Sequence, residues 1–137
     1  MFIQDFYLKE WDWDVRVYYA VDTFYMDNIL YDLIQIGCSS TKVNKVYYEL
    51  TRHPYNNGLT YSNVKYRCSI IVIGLTDSPE EFQNTFDHEK GHLAMHIAET
   101  DQLDVFGEEF QYLTGTIGQK MFPIAKRFMC EHCRKKL

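Results

Sequence analysis

Long apolar runs are missing from this 137-residue sequence; the longest uninterrupted aliphatic stretch is Ile70 to Ile73. A membrane-spanning helix needs roughly 20 such residues, so no membrane partner is expected. The N-terminus, Met1-Phe2-Ile3-Gln4-Asp5, carries acid early and has no apolar segment of the kind a secretory signal requires. That points to a cytoplasmic protein, or to a virion component if the chain derives from a phage. Positive charge is also scarce. Fourteen Lys and Arg stand against nineteen Asp and Glu, a net charge of −5, which is the wrong sign for a protein that holds nucleic acid. The only basic cluster is Arg134, Lys135 and Lys136, and it reads as a solvated tail. Repeats, low-complexity tracts and linkers are absent, so residues 1–137 are expected to form one domain.

Secretory disulfides are not expected: four cysteines are present, and in a cytoplasmic chain their thiols are expected to be reduced. Cys38 and Cys68 sit in apolar surroundings and read as small buried hydrophobes. Cys130-Glu131-His132-Cys133 is a C-x-x-C, half of a structural zinc site, with no second pair to complete it. It reads as a reduced, partly exposed pair, with metal binding alongside His53 or another chain, or redox chemistry, as alternatives.

Aromatic residues are abundant, with 11 Tyr and 9 Phe. A Tyr-rich core and surface accounts for them; an interface-forming protein is the second reading, because Tyr is enriched where proteins meet.

Periodicity sets the expected order of elements. Trp11, Trp13, Val15, Val17, Tyr19 and Val21 alternate with mostly polar residues, a strand with one buried face. From Thr23 to about Ile36 the period changes, and Phe24, Ile29, Leu30, Leu33, Ile34 and Ile36 fit an amphipathic helix closed by Gly37. Ser39 or Ser40 caps a second helix, over about 41–52, which Pro54 ends. Asn56-Asn57-Gly58 is a turn signal, followed by two paired strands over 59–66 and 68–75, the second central in its sheet. Ser78, Pro79 and Glu81 form a strong helix start, and that helix runs to about Glu99. A fourth helix is expected from about Asp104 towards Gly115 or Gly118, and a short last one after Pro123, ending at Cys130. The order is β-α-α-β-β-α-α: one compact α+β domain, a small mixed sheet packed on helices. Within it, 1–57 carries the first strand and two helices, 58–118 the strand pair and two more helices, and 119–137 the C-terminal tail.

The helix starting at Ser78 contains His88-Glu89-Lys90-Gly91-His92, an H-E-x-x-H. Histidines at i and i+4 lie one turn apart on one helix face, so both imidazoles can reach a single Zn²⁺. The Glu beside the first is placed to take a proton from metal-activated water. Phe82, Phe86, Leu93 and Ile97 form the core stripe, and His88, Glu89, His92 and His96 share its flank, lining a cleft. The alternative is three histidines on a polar helix face with no metal. His96 is eight residues from His88, about 12 Å along the axis, too far to share the ion with both, and reads as a cleft residue.

A carboxylate from the next helix is the expected third ligand, giving a His₂Glu set. Taking Phe106, Phe110, Leu113 and Ile117 as that helix's apolar stripe, Glu109 lies about 60° off its centre and Glu108 nearly opposite. Glu109 is therefore the expected ligand and Glu108 the alternative.

A strand, a helix with H-E-x-G-H-x-x-x-H and a helix with an acidic ligand is the zincin plan. Within it, His88-Glu89-Lys90-Gly91-His92-Leu93-Ala94-Met95-His96 resembles the motif of the ImmA/IrrE-type metallopeptidases, and Glu108-Glu109-Phe110-Gln111-Tyr112-Leu113 resembles their acidic segment. The likeness covers about residues 68–118. Lys90 departs from it where that family usually has an apolar residue, and Phe110 where a small one is usual. It implies a zinc-dependent peptidase: zinc at His88, His92 and Glu109, Glu89 as general base, and a protein or peptide as substrate. A second expectation is a non-catalytic subunit of a larger assembly, such as a phage tail or connector, contacting neighbouring subunits or forming a homo-oligomer. A third is a toxin or effector using the same chemistry on one partner protein.

Overall fold

The computed structural model describes residues 1–22 and 25–137. Its centre is a four-stranded mixed sheet in the order β1-β2-β4-β3, built from β1 (Phe2–Leu8), β2 (Trp13–Val21), β3 (Gly58–Asn63) and β4 (Cys68–Gly74). β1 pairs antiparallel with β2, β2 parallel with β4, and β4 antiparallel with β3. The parallel pair sits in the middle, where Ile70, Ile71, Val72 and Ile73 are all buried; a strand covered on both faces reads as a continuous apolar run.

Helices cover both faces. On one, α1 (Met26–Gln35) and α2 (Ser40–Arg52) pack Met26, Ile29, Leu33, Val43 and Leu50 against Tyr18, Ile70 and Val72. Gly37, at φ 90°, reverses the chain after α1 as its lack of a Cβ allows, and the Ser39 hydroxyl caps α2 by accepting from the Lys42 amide at 3.2 Å. On the other face, α3 (Pro79–Asp101) and α4 (Glu108–Ala125) bury Leu93, Ile97, Leu113, Ile117 and Met121 against Val15, Val17, Ile71 and Ile73. A short α5 (Glu131–Arg134) ends the chain, tied back by Arg134, which donates to the Thr76 carbonyl at 2.6 Å. The result is a single α+β domain with a small mixed sheet between helical layers. Among the described residues no helix is long and apolar enough to cross a membrane.

Three expectations change. β1 is an additional strand: its residues are apolar on both sides, Phe2, Phe6 and Leu8 towards the core and Ile3 and Tyr7 outward, so no polar–apolar alternation betrays it. α4 does not stop at Gly115 or Gly118 but continues through Pro123 to Ala125. Leu113, Ile117, Met121 and Ala125 recur every four residues and are all fully buried, and that burial outweighs the roughly 1 kcal/mol helix cost of each glycine. The chain beyond is a 3₁₀ turn over Lys126–Phe128 and then α5, not one helix ending at Cys130. Thr23 and Phe24, which the sequence places at the start of the first helix, lie outside the described residues.

Candidate metal and hydrolytic site

α3 begins as its residues dictate. Ser78 accepts from the Glu81 amide at 3.1 Å and Pro79 occupies the first turn. Twenty-three residues of uninterrupted helix then carry His88, Glu89, His92 and His96 past the inner face of β3. β3 presents Gly58, Thr60 and Ser62 to α3, because these pair with Ile73, Ile71 and Ser69 on the same sheet face.

His88 and His92 converge. Their Nε2 atoms are 3.1 Å apart and the rings meet edge to face. The contact is a hydrogen bond between the two rings; two Zn–N bonds of about 2.05 Å at a tetrahedral angle would place the nitrogens about 3.3 Å apart, close to this separation. Both side chains are open to solvent. Glu89 is not: only 4 % exposed, it holds its Oε1 4.0 Å from His88 Nε2, while Oε2 accepts from the Thr60 hydroxyl at 2.7 Å. Among the described residues the Thr60 hydroxyl is the one hydrogen-bond donor to this carboxylate, and a buried carboxylate depends on such a partner. Thr60→Val keeps the shape and removes the donor; it is expected to lower stability by about 1–3 kcal/mol, read as a fall in the urea midpoint.

Glu109 is not brought to the pair. It is exposed in the first turn of α4, and among the described residues no three His, Cys, Asp or Glu side chains converge on one point. The cause is the α3–α4 packing. Gly118 lies against Lys90, whose Nζ a Cβ there would approach to 3.6 Å. The Lys90 side chain that Gly118 meets reaches back along α3 to Asp87 and the Phe86 ring, so α4 packs on the core side of α3. His88 and His92 also point about 160° around α3 from Lys90, away from α4. Phe106, counted into the α4 stripe on periodicity, precedes the helix and is 94 % exposed. The buried stripe runs from Leu113 to Ala125, leaving Glu109 about 80° from Ile117. Glu108 is exposed as well.

His96 sits one turn beyond His92, with ring centroids 6.2 Å apart. Its Nδ1 is 2.7 Å from the Ser62 hydroxyl, which is 2.6 Å from that of Ser69, which accepts from the Trp13 indole at 2.8 Å. Sequence reasoning missed Thr60, Ser62, Ser69 and Trp13; the available signal was Gly58-Leu59-Thr60-Tyr61-Ser62, whose small and polar members share one strand face. Burial, then the neighbouring His92 and Lys42, lower the His96 pKa, with Glu99 opposing. An unfolded histidine titrates near 6.5, so between that value and the lower folded one the unfolded chain binds more protons. The stability His96 contributes is therefore present above about pH 6.5 and lost as pH falls towards the folded value. The urea-midpoint gap between wild type and His96→Gln is expected to narrow from pH 7.5 to pH 5.

Two cavities mark the groove between β3 and α3. One of about 210 Å³ is lined by Asn56, Asn57, Asn84, His88 and Glu89, and one of about 450 Å³ by Lys42, Thr60, Tyr61, His96 and Glu99. A larger cavity of about 640 Å³ lies elsewhere, beside β1, where Arg16 is already paired with Asp5 and Asp32. Cys130 and Cys133 are free and exposed, and the Cys133 amide donates to Cys130 Sγ at 3.2 Å. The hydrogen bond with the Cys133 thiol, and after it that amide contact, hold the Cys130 pKa below the ordinary thiol value.

Comparison of the chain with family models, with curated proteins and with solved structures finds no match.

Proposed function

We propose that the protein is a zinc-dependent metallopeptidase that hydrolyses a peptide bond in a protein or peptide substrate, with His88 and His92 holding the metal and Glu89 handling the proton. One observation carries this: two imidazole nitrogens 3.1 Å apart on one helix face, with a buried carboxylate 4.0 Å behind the first. A histidine pair kept only for structure has no need of an acid there. The donors suit zinc in kind and spacing, and the exposed side of the pair leaves room for a substrate carbonyl. They supply two protein ligands, and Glu109 does not complete the set from where α4 places it. Zinc, when bound, supplies electrophilic activation of water and carbonyl. The chain's own part is Glu89: as a carboxylate it accepts a proton from the attacking water and returns it to the leaving amine. Thr60 holds one carboxylate oxygen and leaves the other towards the histidines.

Cleavage of a peptide mixture by the zinc-supplemented protein, followed by mass spectrometry, tests the reading. Wild type is expected to yield new termini, and Glu89→Gln to lose at least about 100-fold in rate. An inert wild type, or a Glu89→Gln as active as wild type, overturns it.

One observation favours a second reading, contact with a neighbouring subunit: Phe106, at the tip of the α3–α4 turn, leaves nearly its whole ring in water.

A further inference from the structure

A chain of hydroxyls along the inner face of β3 and β4 has only one consistent arrangement of its hydrogens. The Trp13 indole can only donate, and it donates to Ser69 Oγ. Ser69 is 2 % exposed, and among the described residues its hydroxyl makes hydrogen bonds with Trp13 and Ser62 alone. Its one hydrogen therefore has a single place to go, the Ser62 oxygen. Ser62, having received that hydrogen, directs its own to His96 Nδ1. In the opposite order, Nδ1–H donates to Ser62 and Ser62 to Ser69. That leaves the Ser69 hydrogen buried without an acceptor, the costly outcome for a polar group.

We propose that the Trp13–Ser69–Ser62 chain locks His96 as the neutral Nε2–H tautomer and so presents a fixed hydrogen-bond donor to the groove, where it orients a carbonyl oxygen of a bound peptide. The orienting role rests on the peptidase reading; the tautomer does not. Nε2 makes no hydrogen bond among the described residues, and His96 lines the cavity of about 450 Å³ between β3 and α3. It lies one helical turn from His92, on the same face as the metal pair. A donor set in advance on a rigid helix costs no reorganisation when charge develops on the oxygen it faces. His96 is thus the substrate-facing group, and Trp13, Ser69 and Ser62 are positioning residues acting through it.

Long-range ¹H–¹⁵N spectra of the uniformly labelled full chain at pH 7.5 test the lock. Wild type is expected to show His96 Nε2 in the protonated range and Nδ1 in the unprotonated range. Ser69→Ala, two hydrogen bonds from the ring, is expected to move both signals to intermediate values as the tautomers mix. Ser62→Ala, on the half-buried edge strand, should do the same, and Ser62→Thr, which keeps the hydroxyl, should restore the wild-type pattern. A protonated Nδ1 in wild type, or unchanged His96 signals in Ser69→Ala or Ser62→Ala, overturns the inference. Its failure is separable from that of the peptidase reading: the spectrum reports on His96 alone, whereas zinc content and peptide cleavage report on His88, His92 and Glu89.

Discussion

Purified wild type and Glu89→Gln are each expected to carry about one zinc per chain by elemental analysis, and the His88→Ala/His92→Ala double variant none. Glu89→Gln keeps the metal because its carboxylate faces Thr60 and the flank of His88 and is no part of the chelate. The double variant loses it because both donors leave together. The more discriminating variant is Glu109→Ala. Glu109 is exposed in the first turn of α4 and among the described residues joins no cluster with the histidines, so its removal is expected to leave zinc content unchanged. Zinc lost in Glu109→Ala would mean that α4 shifts along α3 when metal binds, and would restore the His₂Glu set expected from periodicity. Zinc kept in the double variant and lost on replacing Cys130 and Cys133 would move the metal to the C-terminal dithiol and sink the peptidase reading.

The contrast between Glu89 and Glu109 shows what sequence periodicity resolves. Within one helix, 100° per residue is a rigid constraint, so the flank shared by His88, Glu89, His92 and His96 is legible in the sequence. The α3 cap was legible for the same reason: Ser78, Pro79 and Glu81 act over a single turn. Between helices the constraint is absent. Which residue of α4 lies beside which residue of α3 depends on the turn between them and on where side chains are small enough for close approach, here Gly118 under Lys90. Only the three-dimensional packing shows that Glu109 does not join the histidines. β1 was invisible for a different reason. Edge strands carry apolar residues outward as well as inward, and Ile3 and Tyr7 erase the alternation that Phe2, Phe6 and Leu8 would otherwise display. The Trp13–Ser69–Ser62–His96 chain joins four elements and leaves no pattern in any one of them.

Two glycines at this site are expected to respond in opposite directions to the same methyl group. Gly58 opens β3 at its closest approach to α3. A Cβ there would stand 2.7 Å from the Val72 carbonyl oxygen, 3.0 Å from Glu89 Cγ and 3.1 Å from Thr85 Cγ2. The first contact is with backbone of the central strand, which cannot swing aside, so the β3–β4 ladder must open or β3 must lift from α3. Either movement breaks the Thr60–Glu89 bond and releases the carboxylate from its position behind His88. Gly58→Ala is expected to cost about 3 kcal/mol or more, at the upper end of overpacking, and to remove peptide cleavage even in the fraction that remains folded. Gly91 lies inside the H-E-x-x-H itself, yet a Cβ there meets nothing within 4 Å. In the middle of a 23-residue helix, glycine costs about 0.5–1 kcal/mol relative to alanine. Gly91→Ala is therefore expected to raise the urea midpoint and leave zinc content and cleavage intact. A Gly91→Ala that lost activity while gaining stability would show that the substrate backbone passes over that glycine, on the exposed side of α3. A Gly58→Ala as stable as wild type would mean that β3 does not press on Glu89. The placement of the general base would then owe nothing to the strand that crosses it.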